Sequence, residues 1–368
     1  MHLQTIRLTN FKNYESAQLD FSAQINCFLG NNGSGKTNLL DAIYYLSLTK
    51  SSTSSQDAQC ILHNQPLFAI KGEFLKNNKK REVICGLQIG KKKLVKLDQK
   101  PYKKASEHVG KFPVVLIAPN DTDVIRGASD QRRKFFDAII SQVDQHYLQT
   151  LIQYNHLIKQ RNSLLKRFAE SGKSDLELLE SFNRQLLDLG NQIFEKRNAF
   201  IHEFKELVTR HYQNLTNSAE VIELNYQSHF QQNAEVLLSE NLQKDIILKR
   251  SNVGIHKDDF HFVMNGEPIR KFGSQGQQKS YLIALKLAHF EFTERESGMK
   301  PVLLLDDIFD KLDDLRINKL MEMVASDAFG QIFITDARPE RTMDLLANDS
   351  HEVALFEVQA GQVETWTT

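Results

Sequence analysis

"CFLGNNGSGKTNLLDAI", residues 27–43, decides how the rest of the chain is read. The spacing Gly30-x-x-x-x-Gly35-Lys36-Thr37 is that of a Walker A phosphate loop. "QINCFLG" before it reads as a buried strand, and "TNLLDAIYYLSL" after it carries apolar residues at helical spacing. Gly30, Gly33 and Gly35 let backbone N–H groups turn inward, and the start of the helix adds partial positive charge. In such a loop Lys36 reaches the β- and γ-phosphates and the Thr37 hydroxyl ligates Mg²⁺. The predicted ATP-binding run is Gly30, Asn31, Asn32, Gly33, Ser34, Gly35, Lys36, Thr37 and Asn38.

A chain of 368 residues can bury a substantial core and is expected to hold two domains or lobes. Its first residues, "MHLQTIRLTNF", alternate like an edge strand and lack the apolar stretch of a signal peptide. No apolar run approaches the roughly 18 residues of a membrane span, so no membrane partner is expected. Cys27, Cys60 and Cys85 form no C-x-x-C pair, which argues against structural zinc and against a disulfide framework. A reduced, cytoplasmic location is the simplest expectation.

Net charge is zero, with 46 basic and 46 acidic residues, so composition alone implies no polyanionic partner. The distribution is less even. Between Lys71 and Lys111 thirteen Lys/Arg face four Asp/Glu, in clusters at 76–81, 90–96 and 100–104 expected at turns between alternating strands. A solvated hairpin face and a phosphate-contacting surface both fit this pattern.

Residues 1–130 read as strands with short helices, and strand character returns at 250–368. Between them, at 131–249, two long stretches carry apolar residues at i, i+3 and i+4, separated by a turn at 170–175. The expected organisation is a discontinuous α/β head, 1–130 and 250–368, with a helical lobe inserted at 131–249. The longest helix, about 40 residues, would reach about 60 Å.

"PVLLLDDIFDKLD", residues 301–313, is an apolar strand ending in two carboxylates, as a Walker B element requires. Asp306 would hold Mg²⁺ and Asp307 would polarise the attacking water. "FGSQGQQKSYLIALKLAHFEF", residues 272–292, places Ser274, Gln275, Gly276 and Gln277 before an expected amphipathic helix, a second anion site at a helix start. In the ABC ATPase architecture such a site closes over the γ-phosphate held by a partner subunit. The fold class that follows is α/β, an ABC-type P-loop ATPase head with an inserted helical lobe.

The residues also resemble a family. "IRLTNFKNYE" (6–15), "FLGNNGSGKTNLLDAIYYLSLTKS" (28–51), "QRNSLLK" (160–166), "GIHKDDFHF" (254–262), "FGSQGQQKS" (272–280) and "LLLDDIFDKLDD" (303–314) are similar, in this order, to the RecF family of ATPases related to SMC heads. The resemblance implies a weak DNA-dependent ATPase that dimerises on ATP and contacts double- and single-stranded DNA. It implies action with RecR and RecO to direct RecA onto single-strand gaps in DNA repair and replication.

The chain departs from the family pattern at several places. Ser51-Ser52-Thr53 stand where an aromatic and a basic residue are usual, and Asp310 stands for a small hydroxyl residue after Walker B. The loop after "QIFIT" offers Thr335 and Asp336 but no histidine, so no switch histidine is assigned. His256 reads as either a packed or a catalytic side chain. An SMC-type head would need long coiled-coil arms, and an ABC transporter ATPase would not carry this helical lobe. A nucleotide-gated scaffold with incidental hydrolysis is the third alternative.

Overall fold

A phosphate loop needs a strand whose carboxyl end opens onto a helix start, and a parallel sheet supplies one. The computed structural model describes residues 1–172, 175–216, 220–307, 316–317, 319, 322–323, 328–346 and 351–366. The expected loop after Walker B, Asp310-Lys311-Leu312-Asp313, lies outside the described residues. Numbered in chain order, strand β3 (Ile25–Leu29) sits inside a six-stranded sheet of order β15-β14-β3-β13-β12-β8. Its companions are β8 (Val114–Ile117), β12 (Val302–Asp306), β13 (Ile332–Asp336), β14 (Val353–Gln359) and the antiparallel edge strand β15 (Gln362–Thr365). β3, β12 and β13 are buried at every residue, as parallel strands covered on both faces must be.

The second sheet is antiparallel, in order β2-β1-β4-β5-β6-β7. It comprises β1 (His2–Phe11), β2 (Tyr14–Asp20), β4 (Leu67–Lys76), β5 (Lys79–Gln88), β6 (Leu94–Leu97) and β7 (Lys100–Pro101). β1 is not the edge strand expected from its alternation, because it pairs with β2 on one side and β4 on the other. Alternation here records one covered face of an antiparallel sheet, not an open edge. Helix α1 (Lys36–Leu48) packs into this core, with Tyr45 and Leu46 among Leu3, Phe11, Phe68 and Phe74. These elements belong to a compact unit of residues 1–121 and 283–368.

A second unit spans residues 122–282. It exceeds the helical stretch because a small antiparallel sheet packs on the helices. That sheet joins β9 (Ile222–Gln227), β10 (Asp259–Met264) and β11 (Glu267–Pro268). The helices are α2 (Thr122–Arg126), α3 (Ser129–Val143), α4 (Gln145–Ser171), α5 (Leu176–Thr216), α6 (Ala234–Glu240), α7 (Leu242–Leu248) and α8 (Ile269–Phe272). α5 has 41 residues, matching the long helix read from periodicity. The expected intervening turn begins where α4 ends, at Gly172 in a left-handed conformation.

Two buried arginines tie this unit together. Arg161, from "QRNSLLK", donates to Asp245 (2.7 Å), Ser251 Oγ (2.7 Å) and Asn183 (2.9 Å). Arg197 donates to both oxygens of Asp137 (2.9 and 3.0 Å) and to Asp258 (2.7 Å), which also accepts from the Tyr226 hydroxyl. The Arg161 and Asp245 side chains are fully buried, so each neutralises a charge that water cannot reach. Asp245→Ala strands the guanidinium and should cost about 3–5 kcal/mol, whereas Asp245→Ala with Arg161→Met should recover most of that loss. Urea unfolding followed by circular dichroism decides it, and equal midpoints for wild type and Asp245→Ala would remove the joint from the account.

Candidate functional site

The phosphate loop is built from backbone first. Gly35 caps α1 in a left-handed conformation (φ 119°), leaving the first-turn amides without a side-chain cap and without an acidic neighbour. A Cβ at Gly35 would lie 2.4 Å from Asn13 Nδ2, and one at Gly30 would lie 2.3 Å from the Val358 carbonyl. The loop is therefore pressed against its supports as tightly as glycine allows. Those supports are two hairpin turns. Asn13, after β1, donates to the Ser34 carbonyl (3.3 Å) and accepts from Asn38 (2.7 Å), while the Tyr14 hydroxyl donates to the Gly35 carbonyl (3.1 Å). Gly361, after β14, donates its N–H to the Ser34 carbonyl at 3.1 Å.

Lys36 folds back over the loop and donates to the carbonyls of Gly30 (2.6 Å) and Asn31 (3.0 Å). Burial pushes its pKa below the usual lysine value, and the charges of Asp307, Asp306 and Asp336 pull it back up. Thr37 donates to Asp306 Oδ1 at 2.9 Å with Oδ2 at 3.1 Å, and Thr335 donates to the same carboxylate at 2.8 Å. Burial raises the Asp306 pKa, and the Thr335 and Thr37 hydroxyls oppose that rise. Asp307, the residue after β12, is in a left-handed conformation (φ 46°) and donates its N–H to Thr335 Oγ1 at 2.9 Å. The glycine-rich loop and the carboxylate-tipped strand thus meet at one sheet end, through the contact of Thr37 with Asp306.

The residues present fit a magnesium nucleotide. Ser34 Oγ is buried and has no hydrogen-bond partner among the described residues, and no neighbour would meet a Cβ at Gly33 within 4 Å. Among the described residues no cluster of three or more His, Cys, Asp or Glu is placed to hold a metal by itself. A magnesium completed by phosphate oxygens and water needs only the Thr37 hydroxyl and one carboxylate.

Ser274 is exposed in the second unit, and Gln275–Ser297 form helix α9. Ser274 N–H donates to Gln277 Oε1 (2.7 Å), and the Gln277 N–H donates to Ser274 Oγ (3.2 Å), a reciprocal cap on the helix start. Glu220 accepts from Gln277 Nε2 at 2.5 Å and steadies that cap. α9 is not amphipathic as expected: residues 280–290 are buried on every face.

Several functional neighbours escaped the sequence reading. Asn13 and Tyr14 lie in "FKNYE", far upstream, with no local signal of their contact with the loop. Asp41, buried in α1, accepts from Ser51 and Ser52 Oγ (2.7 and 2.6 Å) and pairs with Lys12 at 2.6 Å. The Ser51-Ser52-Thr53 departure therefore builds a polar clamp on α1. His256 is packed: Nδ1 meets the Tyr154 hydroxyl (2.9 Å) and Nε2 meets the Ser251 carbonyl (3.1 Å).

The lysine-rich stretch falls at hairpin turns, as its pattern predicts, but its charges divide. Lys93 is tied to the Thr49 carbonyl (2.7 Å) and Asp57 (2.6 Å), Lys71 pairs with Glu82, and Arg81 pairs with Asp98 at 2.6 Å. Lys79, Lys80, Lys91, Lys92, Lys100, Lys103 and Lys104 are exposed and have no ion pair among the described residues. Neutralising 91–93 as one block would therefore break a structural tie as well as remove surface charge.

Phosphate loop, carboxylate-tipped strand and capped serine on a mixed α/β frame define an ABC-type ATPase head. The chain matches the family described as RecF/RecN/SMC N terminal domain over residues 2–361. It is 48% identical to the DNA replication and repair protein RecF of Flavobacterium johnsoniae, over 97% of this chain and 100% of that protein. A solved structure of the recombination mediator protein RecF-ATPrS in the RecFOR pathway is 30% identical, with a TM-score of 0.90, covering 100% of this chain and 98% of that one. The Smc head domain of Pyrococcus furiosus shares the fold alone, at 16% identity and a TM-score of 0.57, covering 100% and 96%. The chain belongs to the RecF family. Among the described residues no helix is long and apolar enough to cross a membrane.

Trp366, the single tryptophan, lines with the loop residues Gly30 and Ser34 a cleft of about 500 Å³. ATP titration should change its emission in the wild type and leave it unchanged in Lys36→Ala, which lacks the loop's side-chain cation. An ATP-induced change of equal size and midpoint in Lys36→Ala would separate Lys36 from the nucleotide.

Burial lowers the His256 pKa from 6.5 to about 4. The unfolded chain then takes up this proton first, so stability is lost as pH falls from about 6.5 toward 4. At pH 5 this amounts to about 2 kcal/mol. In His256→Gln the drop in urea stability between pH 7 and pH 5 should shrink by that amount, and an unchanged drop would contradict the buried neutral ring.

Proposed function

We propose that the chain is an ATP-dependent DNA-binding recombination mediator, in which two copies close around bound ATP and weak hydrolysis reopens them. The carrying observation is the direct contact of Thr37 with Asp306 beside a buried Lys36. In this reading Lys36 neutralises the β- and γ-phosphates, and Gly30 to Asn38 cradle them with backbone amides. Thr37 and Asp306 hold Mg²⁺, which when bound lends charge to stabilise the leaving phosphates, and Asp307 orients the attacking water. Ser274, Gln275, Gly276 and Gln277 meet the γ-phosphate held by the other copy. The exposure of Ser274 supports that assignment, since a site for a second copy's ligand must be open in one copy.

The similarity to proteins named for DNA replication and repair, and to RecF solved with ATP in the RecFOR pathway, supports a cytoplasmic role with RecR and RecO. There the closed dimer binds double- and single-stranded DNA and helps RecA load at single-strand gaps. The exposed lysines of the antiparallel sheet supply phosphate contacts.

Ser274→Arg tests the reading. Each copy should bind ATP with near-normal affinity, yet ATP-dependent dimerisation and ATP-stimulated DNA binding should both fail. Light scattering with ADP, ATP and a slowly hydrolysed analogue reads the dimer, and anisotropy of labelled DNA reads binding. Normal hydrolysis by a monomeric Ser274→Arg protein would show that closure of two copies is not the catalytic unit.

A further inference from the structure

The segment between α7 and β10 is unusually well tied down. Arg250 N–H donates to the Asp245 carbonyl (3.1 Å), and Lys257 N–H donates to the Gly254 carbonyl (2.9 Å). Ser251 N–H donates to Asn162 (2.7 Å) and Asn252 N–H to the Asp245 carboxylate (2.9 Å). Onto this segment α3 brings Arg133, whose Nη1 donates to the Asp258 carbonyl at 2.6 Å, next to Lys257. Arg250 and Lys257 are exposed, Arg133 is half-buried, and none of the three has an ion pair among the described residues.

Lys257 feels the other two cations. Burial, then Arg250 and Arg133, push the Lys257 pKa below its ordinary value. Nearby carboxylates exist but are committed elsewhere. Asp245 serves Arg161 and Asn252, and Asp258 serves Arg197 and Tyr226. Asp137 serves Arg197 and Tyr147, Asp130 pairs with Lys134, and Asp259 with Arg132. The fold thus collects positive charge on a rigid segment whose neighbouring carboxylates still attract Arg133 and Lys257 but are hydrogen-bonded to other groups. The fixed backbone holds the roots of these side chains, so an anion that binds them orders only the side chains themselves.

We propose that Arg133, Arg250 and Lys257 form a phosphodiester-binding site, separate in sequence from the lysines of the antiparallel sheet. Guanidinium forks match phosphate oxygens better than a point charge does, and two of the three groups are arginines. The site rests on the DNA-binding reading above and adds a second contact region to it.

The test uses the full chain and a fluorescein-labelled duplex with a single-stranded extension, titrated across salt concentrations with ATP present. Arg250→Gln with Lys257→Gln should flatten the slope of log K against log salt by about 0.9 for each lost contact, and leave DNA-free ATPase unchanged. Between roughly 50 and 200 mM salt the variant should therefore lose about tenfold less affinity than wild type. Arg250→Lys should keep the wild-type slope, because counterion release counts charge. Both positions are exposed, and circular dichroism confirms that the variants fold. Lys91→Gln with Lys92→Gln serves as the comparison for the sheet surface.

An unchanged slope in the Arg250/Lys257 variant, with wild-type DNA binding intact, overturns the site and leaves the wider reading standing. Absence of DNA binding by the wild type in every nucleotide state overturns both. Two further arms identify other anions. Thermal stabilisation by inorganic phosphate that vanishes in the variant, with DNA binding unaffected, would mean a free-phosphate site. Competition by polyglutamate as strong as that by unlabelled DNA would mean an acidic protein partner. Either result overturns the proposal.

Discussion

A helix start with uncapped amides holds an anion only if its loop cannot collapse onto the same amides. In this chain the constraint is met from outside the loop. Asn13 and Gly361, from two separate hairpins, both bond the Ser34 carbonyl, and Tyr14 bonds the next one. Those bonds pin the Ser34 and Gly35 carbonyls from outside, so the loop keeps its open turn ahead of the helix start. Lys36 folds over the loop and donates to the Gly30 and Asn31 carbonyls, two of the three bonds an ammonium group can make. The parallel and antiparallel sheets matter to function chiefly because they deliver these two turns to one place.

The carboxylate end of the site follows the same logic. Asp306 would be costly in this buried position without donors, and Thr37 provides one from the first turn of α1 and Thr335 another from β13. The bond from Asp307 N–H to Thr335 then locks the tip of β12 against β13. The hydrogen bonds that satisfy the buried Asp306 carboxylate thus also fix where the Thr37 hydroxyl and the Asp307 backbone stand.

In the second unit the strings that carry the family likeness turn out to be complementary halves of buried contacts. Arg161 and Asn162 of "QRNSLLK" receive Asp245 and Ser251. Asp258 and Asp259 of "HKDD" receive Arg197 and Arg132. Buried pairs of this kind add little net stability over apolar packing but penalise any arrangement that leaves one member alone. They hold the segment bearing Arg250 and Lys257, and the cap on Ser274 is held by Glu220 in the same unit.

The sequence by itself determined the glycine-rich loop, the carboxylate-tipped strand, a serine at a helix start and the long helices. Each is written in residues a few positions apart, where glycine placement and apolar period act directly on the backbone. Tertiary structure decided what surrounds them. Whether β1 lies at an edge, which of Lys91, Lys92 and Lys93 is free, and what His256 touches depend on partners tens of residues away. So does the bracing of the loop by Asn13 and Gly361, since Ser34 is 21 residues from one and far from the other. No spacing rule records such contacts, because they exist only once two sheets have folded around the same helix.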